Sequence, residues 1–479
     1  MKTTQQLMLY LFCFICGASA AEKPNIVYIL ADDLGYGDLG CYGQEVIQTP
    51  NLDKMAAEGL RFTQHYAGSP VCGPSRSVML TGLHAGHTYL RGNGYIQMRP
   101  DPLDMTFPTA LQKAGYKTAL IGKSGMACNS DDASLPAKKG FERFYGFTSH
   151  TKAHWYFPKY LWDNETKVEF PNNTLHEGDN MSSDLIMDQV IKYLDQTKKS
   201  EQPFFLHVAF QMPHASLRVK EEWKAKYRSI LKETPLPPRK EHWHYSYERE
   251  PKTTYAAMVS CMDHNVGLIL EKLKELGIAD NTLVMFSSDN GAMQEGGHLR
   301  SSFNSSGELR GGKRDLYEGG VRTPTIAWWP GKIAPGRSTD HISGFWDISP
   351  TLRELAGAKV QEDTDGLSLL PTLFNSEGQK QHDHIYWEFH EQGGKRGLRK
   401  GKWKLIHLGV GKNLKPRVEL YNLEEDIAER KNVTKLYPEI VSKLNKVMRQ
   451  AHTTSEVTEF RFAEELNEKE LKKRRSSGK

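Results

Sequence analysis

The first strong hydrophobic pattern covers residues 25–30, which read Asn-Ile-Val-Tyr-Ile-Leu. Unbroken β-branched runs of this kind are typical of a strand that is buried on both faces. The run is followed closely by two carboxylates, Asp32 and Asp33. The pattern therefore predicts a central strand with acidic residues at its carboxyl end.

Helical and strand-like patterns alternate further along the chain. Strands are predicted over residues 117–121, 204–210 and 282–287, and each follows a helical stretch. The clearest helix covers residues 255–273, where apolar side chains recur every three to four positions. This alternation favours an α/β fold, with a large, mainly parallel sheet flanked by helices and with ligands at the carboxyl ends of its strands.

The pattern changes after about residue 373. Short strand-like pieces at residues 385–388 and 403–407 precede a helix over residues 438–451, which predicts a smaller C-terminal α+β domain. The predicted units that follow the N-terminal segment are a catalytic domain over residues 21–373, the α+β domain over 374–465 and a basic, disordered tail over 466–479.

The N-terminal segment, residues 1–20, has the pattern of an export signal. It carries one lysine, then an apolar run, and it ends in Ala18-Ser19-Ala20. We expect cleavage after Ala20 and a secreted or periplasmic product. No later segment has the length and apolar character expected of a membrane span.

Composition excludes some classes of protein. The 479 residues include 63 Lys and Arg and 58 Asp and Glu, a net charge of +5. Such a small surplus over this length gives no reason to expect nucleic-acid binding. The cysteines outside the predicted signal are too few to suggest a disulfide framework: Cys41, Cys72, Cys128 and Cys261.

Acidic and amide side chains recur where strands end. Asp289 and Asn290 follow the predicted strand at 282–287, as Asp32 and Asp33 follow the first strand. Oxygen donors of this kind suit Ca²⁺ or Mg²⁺ far better than zinc. Taken one at a time, these residues could equally be turn formers or helix caps. Their repetition at equivalent strand ends favours a metal site.

The most specific motif is Cys72-Gly73-Pro74-Ser75-Arg76. It resembles the Cys-x-Pro-Ser-Arg signature of the type I, formylglycine-dependent sulfatases, an arylsulfatase-like family of the alkaline-phosphatase-like superfamily. Other segments resemble family blocks in the same order: residues 25–37, 49–53, 122–123, 213–214, 288–291, 312–320 and 398–432. So many ordered matches identify the chain as a member of the family.

The resemblance implies a bound Ca²⁺ and a formylglycine (3-oxoalanine) made from Cys72. It also implies hydrolysis of sulfate monoesters. The partner required for conversion would be a formylglycine-generating enzyme or an anaerobic sulfatase-maturing enzyme. A sulfate monoester is an anion, so cationic side chains and a metal must neutralise it before a nucleophile can approach.

Individual roles are carried over position by position. Arg76 and Lys123 resemble the residues that hold the formylglycine hydrate. Lys313 resembles the lysine that binds a sulfate oxygen, and His214 the neighbouring histidine that protonates the leaving alcohol as a general acid. The implied metal ligands are Asp32, Asp33, Asp289, Asn290 and the converted Cys72.

One position departs from the family pattern. Many members read Gly-Lys-Trp-His at the lysine block, and that histidine assists the release of sulfate. This chain reads Gly122-Lys123-Ser124-Gly125, and a glycine cannot do acid or base chemistry. The glycine resembles a subset of polysaccharide-active members. His154, in an aromatic-rich loop, is the candidate replacement, and simple packing of that loop is the equal alternative.

Two further residues, Arg91 and Asn93, are candidate substrate contacts, although a Gly-rich turn explains them equally well. The favoured function is a sulfatase acting in sulfated polysaccharide degradation, on galactose or N-acetylgalactosamine sulfate of carrageenan or glycosaminoglycan type. The alternatives are a phosphate or phosphonate ester hydrolase of the same fold, a sulfated-glycan-binding pseudo-enzyme, and an enzyme that uses the Cys72 thiol directly.

Overall fold

The computed structural model describes residues 23–127, 132–238 and 245–476. The predicted export signal and Cys128 lie outside these described residues. The strands of the described chain are β1 Asn25–Asp32, β2 Leu60–Phe62, β3 His65–Tyr66, β4 Lys117–Ala127, β5 Arg143–Ser149, β6 Tyr160–Asp163, β7 Thr166–Glu169, β8 Phe204–Pro213, β9 Thr282–Ser288, β10 Thr325–Trp328, β11 Arg337–Thr339, β12 Ser343–Gly344, β13 Ile385–Phe389, β14 Lys395–Lys400, β15 Trp403–Leu408 and β16 Arg417–Asn422. The α-helices are α1 Pro50–Ala57, α2 Cys72–Thr81, α3 Phe107–Lys113, α4 Ser182–Thr197, α5 Glu221–Leu231, α6 Pro251–Glu275, α7 Glu318–Val321, α8 Ile348–Leu355, α9 Leu370–Phe374, α10 Pro438–Gln450 and α11 Glu468–Ser476.

A ten-stranded sheet forms the centre of the molecule, in the order β11-β2-β10-β9-β1-β8-β4-β5-β6-β7. The run β9-β1-β8-β4-β5 is parallel throughout, and antiparallel pairs flank it on both sides. The predicted large, mainly parallel sheet is therefore confirmed. Because these central strands run in the same direction, their carboxyl ends share one edge.

The apolar run of β1 is buried on both faces, as its unbroken pattern predicts. Val27 and Ile29 contribute to one hydrophobic core, which includes the apolar side of α6. Tyr28 and Leu30 point the other way, into a second core that includes α2 residues. This follows from the two-residue period of a strand. Truncating Ile29 to alanine in such a core costs about 2–5 kcal/mol.

A smaller antiparallel sheet, β13-β14-β15-β16, forms the C-terminal part of the chain. Leu444 and Met448 of helix α10 pack against this sheet, and together they form a hydrophobic core separate from the two cores of the large sheet. The predicted strands at 385–388 and 403–407 correspond to β13 and β15. The neighbouring β14 was not predicted because its sequence, Lys-Arg-Gly-Leu-Arg-Lys, is mostly charged and has no clear apolar alternation. The exact domain boundaries stay a prediction.

The expectation of a disordered tail is wrong for its described part, because Glu468–Ser476 forms α11. Leu471 is buried, and the Arg474 guanidinium donates to the Thr458 carbonyl oxygen at 2.6 Å. Acidic residues occupy the first turn and basic residues the last turn, an arrangement that complements the helix dipole. None of the helices in the described ranges combines the length and apolar composition that a bilayer crossing requires.

Candidate active site

The acidic strand ends meet at the carboxyl edge of the sheet. Register pairs Ala31 of β1 with Ser288 of β9, so the residues that follow them lie side by side. The Asp33 amide donates to Asp289 Oδ1 at 3.1 Å, and the Asn290 amide nitrogen donates to Asp33 Oδ1 at 2.7 Å. All four predicted oxygen-ligand residues, Asp32 included, are fully buried. Strand pairing thus assembles the predicted set from positions far apart in sequence.

Helix α2 presents Cys72 to this cluster. Val71 is extended, and the helix begins at Cys72, so the thiol occupies the N-terminal turn. Burial raises the pKa of the Cys72 thiol to about 12. A thiol with so high a pKa is protonated at neutral pH and is a poor nucleophile. Burial of the Cys72 thiol therefore weighs against the thiol-enzyme alternative.

Several side chains of the cluster could hold a cation. Asp32, Asp33, Cys72 and His214 each offer one ligand atom, and these atoms lie within 4.8 Å of one another. Two buried oxygens, Asp32 Oδ1 and Asn290 Oδ1, have no hydrogen-bond partner within the part of the chain that the structure describes. Orphaned buried oxygens are rare, and a hard divalent cation would satisfy both. The donor set therefore fits the implied calcium ion.

The buried carboxylates of Asp32 and Asp289 lie close together, and their pKa values are shifted in opposite directions. Burial and the nearby Asp32 charge raise the pKa of Asp289 to about 7. Burial would also raise the pKa of Asp32, but the charges of Lys123, His214 and Arg76 outweigh it and hold that pKa far below its usual range. A cation bound here would favour the ionised form of both groups.

The two predicted cations of the motif blocks lie on the α2 side of the site. Arg76 donates to Asp289 Oδ2 from Nε at 3.0 Å and from Nη2 at 2.7 Å. Its Nη1 also donates to the Lys123 carbonyl oxygen at 2.7 Å. The Lys123 ammonium, fully buried, bonds Asp32 Oδ2. Arg76 and Lys123 thus connect the predicted metal ligands Asp289 and Asp32 to the first turn of α2.

His214 and Lys313 lie together beside Asp33. Lys313 Nζ is 2.7 Å from Asp33 Oδ2 and 3.1 Å from His214 Nε2. Burial and the Lys313 charge lower the pKa of His214, so the ring is neutral near pH 7. Its Nδ1 contacts the Ala215 carbonyl oxygen, which leaves Nε2 to accept from Lys313. Lys313 and His214, the two residues predicted to act on the substrate, therefore lie in contact with each other beside Asp33.

Glu295 completes this side of the site and was not predicted. Its Oε2 accepts from Lys313 Nζ at 2.8 Å and from the Tyr245 hydroxyl at 3.3 Å, and its Oε1 accepts from Arg314. Burial opposes ionisation, yet the Lys313, His214 and Arg314 charges hold the pKa of Glu295 well below its usual range. Its position in the loop after Asn290 was the only signal in the sequence.

His154 lies against the ring of His214. The two ring centroids are 4.5 Å apart and the planes differ by 12°, which is a stacked arrangement. Two further described rings, those of Tyr245 and His150, also lie near His154. Burial first, and then the charge of His214, lower the pKa of His154 well below its usual range. The structure therefore places the His154 ring directly against His214, the predicted general acid.

The two candidate substrate contacts have different surroundings. Asn93 Oδ1 accepts from the Gly73 amide at 3.0 Å, so Asn93 holds the first turn of α2. Arg91 is only 3% exposed, and its Nη1 pairs with Glu388 of β13 at 3.2 Å. The structure thus brings Asn93 to the site and commits Arg91 to a contact with the C-terminal sheet.

Comparison with known proteins agrees with this geometry. The family model described as Sulfatase matches residues 24–358, and the model of the N-sulphoglucosamine sulphohydrolase C-terminal region matches residues 311–454. The chain belongs to the sulfatase family. It is a sulfuric ester hydrolase with the alkaline-phosphatase-like fold, as the motif blocks predicted.

Individual relatives support the same assignment. The chain is 33% identical to N-acetylgalactosamine-6-sulfatase of Rattus norvegicus over 397 residues, which is 77% of this chain and 70% of that protein. It is 31% identical to arylsulfatase A of Homo sapiens, over 82% of this chain and 76% of that one. The crystal structure of Ps i-CgsB in complex with k-i-k-neocarrahexaose matches with a TM-score of 0.74 at 28% identity, covering 89% and 92% of the two chains.

Proposed function

We propose that this enzyme removes sulfate from a sulfated carbohydrate, galactose or N-acetylgalactosamine sulfate of carrageenan or glycosaminoglycan type. It would do so with a calcium ion and a formylglycine made from Cys72. One observation carries the proposal: Cys72 opens a helix between buried carboxylates and the Lys313–His214 pair. This arrangement would bring a metal site, a nucleophile and a proton donor around one point, which supports the proposal.

The residues that would hold the cation are Asp32, Asp33, Asp289, Asn290 and the converted residue 72. When bound, calcium would neutralise the carboxylates and draw charge from the sulfate oxygens. The two orphaned oxygens of Asp32 and Asn290 support this assignment. Removal of calcium with EGTA should abolish activity and lower the thermal midpoint, and added Ca²⁺ should restore both. Activity that survives exhaustive chelation would contradict the calcium part of the proposal.

Conversion of Cys72 supplies what the buried thiol lacks. A hydrated aldehyde provides one hydroxyl to attack sulfur and a second through which sulfate is later expelled. Arg76 and Lys123 would orient that hydrate, because both already meet at the first turn of α2. The N-terminus of α2 adds backbone amides that favour an anion at this place.

Lys313 and His214 would act on the substrate itself. The Lys313 ammonium would bind a sulfate oxygen, and His214 Nε2 would give a proton to the departing alcohol. Because Nδ1 of His214 is directed to the Ala215 carbonyl, Nε2 is the nitrogen available for that transfer. Because the resting ring is neutral, Nε2 would have to gain a proton before the ester bond breaks, and the charge of the bound sulfate would favour that protonated form.

The carbohydrate part of the proposal is supported by the relatives and by aromatic side chains near the site. N-acetylgalactosamine-6-sulfatase and a protein bound to a neocarrahexaose are among the proteins similar to this chain. Trp155 lies on the same loop as His154, and Tyr245 lies 6.0 Å from the His214 ring. Aromatic faces of this kind stack on sugar rings.

The test begins with protein made together with a formylglycine-generating enzyme. Peptide mass spectrometry across residue 72 should show the mass change from thiol to aldehyde. The same preparation should release sulfate from N-acetylgalactosamine 6-sulfate or a carrageenan oligosaccharide. Matched phosphate esters should react far more slowly. Converted protein that binds these sugars without turnover, or that prefers phosphate esters, would overturn the proposal.

Export is part of the same proposal. Residues 1–20 would be removed, and the mature chain would begin at Ala21. N-terminal sequencing of protein recovered from outside the cytoplasm should read Ala-Glu-Lys-Pro. An intact N-terminus on active protein would contradict it.

A further inference from the structure

The backbone at Gly125 leaves no room for the histidine that many family members carry there. Gly125 has a φ of +73°, a conformation that favours glycine. A β-carbon at this position would lie 2.9 Å from Cδ and 3.2 Å from Nε of Arg76. Arg76 cannot move away freely, because it is bound to Asp289 and to the Lys123 carbonyl. A base must therefore act from another element.

Strand β5, which pairs with β4, is followed directly by a histidine, His150. Strands β4 and β5 are parallel neighbours, with Lys123 opposite Phe147 and Ala127 opposite Ser149. His150 directly follows β5, so it lies at the same edge as Gly125. The two residues also line one small cleft together with Gly73, the residue after Cys72. His150 thus borders the first turn of α2 from the side of Gly125.

His150 has a ring nitrogen that is available to accept a proton. Its Nδ1 is buried and has no hydrogen-bond partner among the described residues. Burial, and then the charges of Lys123 and His214, hold the pKa of His150 well below its usual range. The ring is therefore neutral near pH 7, and the negative charge of a sulfate bound on residue 72 would raise its pKa again and make it a stronger base. Its ring centroid lies 5.4 Å from that of His154, which itself stacks on His214.

We propose that His150 is the base for sulfate release in this enzyme, in the place of the histidine absent at Gly125. This inference rests on the proposed function. The second hydroxyl of residue 72 loses its proton to the His150 imidazole, and the electron pair of that O–H bond forms the aldehyde C=O. The C–O bond to the sulfate breaks and its electron pair leaves with the sulfate dianion. Water then rehydrates the aldehyde.

His154, the alternative from the sequence, has a different position. It stacks on the leaving-group histidine, whereas His150 shares a cleft with Gly73 and Gly125. If His150 is the base, its loss should block the second half of the reaction and spare the first. Loss of His154 should instead disturb His214 and slow the first half.

The test uses full-length, calcium-loaded protein. Rates are expressed per molecule in which Cys72 has been converted to formylglycine. The probes are 4-nitrophenyl sulfate and N-acetylgalactosamine 6-sulfate. His150→Ala and His150→Gln should turn over about 100-fold more slowly. Peptide mass spectrometry after rapid quenching should find most of residue 72 still carrying a sulfuryl group. Free imidazole should restore part of the turnover of His150→Ala.

A matched control is His264→Ala, which removes an exposed histidine of α6 and should behave as wild type. His150→Gln guards against a folding defect, because it keeps a polar side chain of similar size. Wild-type turnover in the His150 variants, or a retained sulfuryl group in His154→Ala alone, would overturn the inference. A wild-type protein that releases no sulfate from either probe or from the carrageenan oligosaccharide would overturn the proposed function itself, and this inference with it.

Discussion

Each lysine of the site is matched with one carboxylate of the strand ends. Lys123 bonds Asp32, and Lys313 bonds Asp33 at 2.7 Å, with almost no exposure of the side chains involved. Buried charges of this kind are tolerated only when they are paired, and removal of one partner leaves the other uncompensated. The two lysines therefore balance buried negative charge in the folded protein, in addition to their proposed roles in catalysis.

Lys313→Ala should lower kcat by about 100- to 1,000-fold, because the substrate sulfate loses a preorganised cation. Sulfate release by converted protein, with the thermal midpoint recorded alongside, is the measurement. Lys332→Ala, which removes an exposed lysine from a turn, is the control and should leave kcat unchanged. A Lys313→Ala enzyme within a few-fold of wild type would contradict the assigned role.

Glu295 positions that lysine from the opposite side. Glu295→Gln keeps the size of the side chain but removes the charge that Lys313 and Arg314 both contact. We expect kcat to fall about tenfold as Lys313 loses its fixed position. Because Glu295 acts through Lys313, the double variant with Lys313→Ala should be no slower than Lys313→Ala alone. Additive losses would show that Glu295 contacts the substrate independently.

At the scale of elements, the site depends on where α2 meets the ends of β1, β4 and β9. The helix begins at Cys72, Asn93 holds its first amide at Gly73, and Arg76 one turn later reaches Asp289. These contacts fix Cys72, the proposed reactive residue, relative to the proposed metal ligands. Preorganisation of this kind is the usual way in which a protein places charge where a reaction develops it.

Gly125→Ala tests the contact between β4 and α2. The left-handed φ alone costs a non-glycine residue about 1–2 kcal/mol, and the new β-carbon would also press on Arg76. We expect a lower thermal midpoint together with a large loss of activity. Gly401→Ala is the matched control, since Gly401 has a φ of +57° and open space around it. It should lose stability alone; equal losses of activity would refute the steric explanation.

At the scale of the whole molecule, Glu388 of β13 links the C-terminal sheet to the segment that follows α2. It is fully buried and receives Arg91 from the loop after α2, as well as His390 and His452. Burial would raise the pKa of Glu388, but these partners lower it far below its usual range. The C-terminal sheet therefore anchors the segment that follows α2, through the contact between Glu388 and Arg91.

His452 makes this connection sensitive to pH. Burial opposes its protonation, but hydrogen bonds to Glu388 and Glu465 outweigh burial and raise the pKa of His452 to about 9. Since the folded pKa exceeds the unfolded value of about 6.5, the stabilisation is complete below pH ~6.5. It is lost as the pH rises through about 9, and it amounts to about 1 kcal/mol after allowance for solvent screening.

The thermal midpoint of wild-type protein should therefore fall between pH ~6.5 and ~9.5 by more than that of His452→Gln. His264→Gln, in which an exposed histidine of α6 is changed, is the control and should follow the wild type. Parallel curves for wild type and His452→Gln across this range would exclude the His452 ion pair as the source of the dependence.

Much of this molecule follows from the sequence alone. The unbroken run at β1 and the regular spacing in α6 are local patterns, and local patterns determine which segments become buried strands and amphipathic helices. The motif at Cys72 and the Asp-Asn-Gly segment are equally local. They predicted the family and the residues that the structure brings together at the carboxyl edge of the sheet.

Tertiary structure alone decided the rest. Glu295 beside Lys313, Arg91 paired with Glu388, and His150 in the cleft of Gly125 are contacts between residues far apart in the chain or on different elements. Sequence spacing carries no record of such contacts, because strand order and register bring the partners together only when the sheet forms. The choice between His150 and His154 is of this kind. Two histidines on one short segment are equivalent in sequence, and only their neighbours separate their roles.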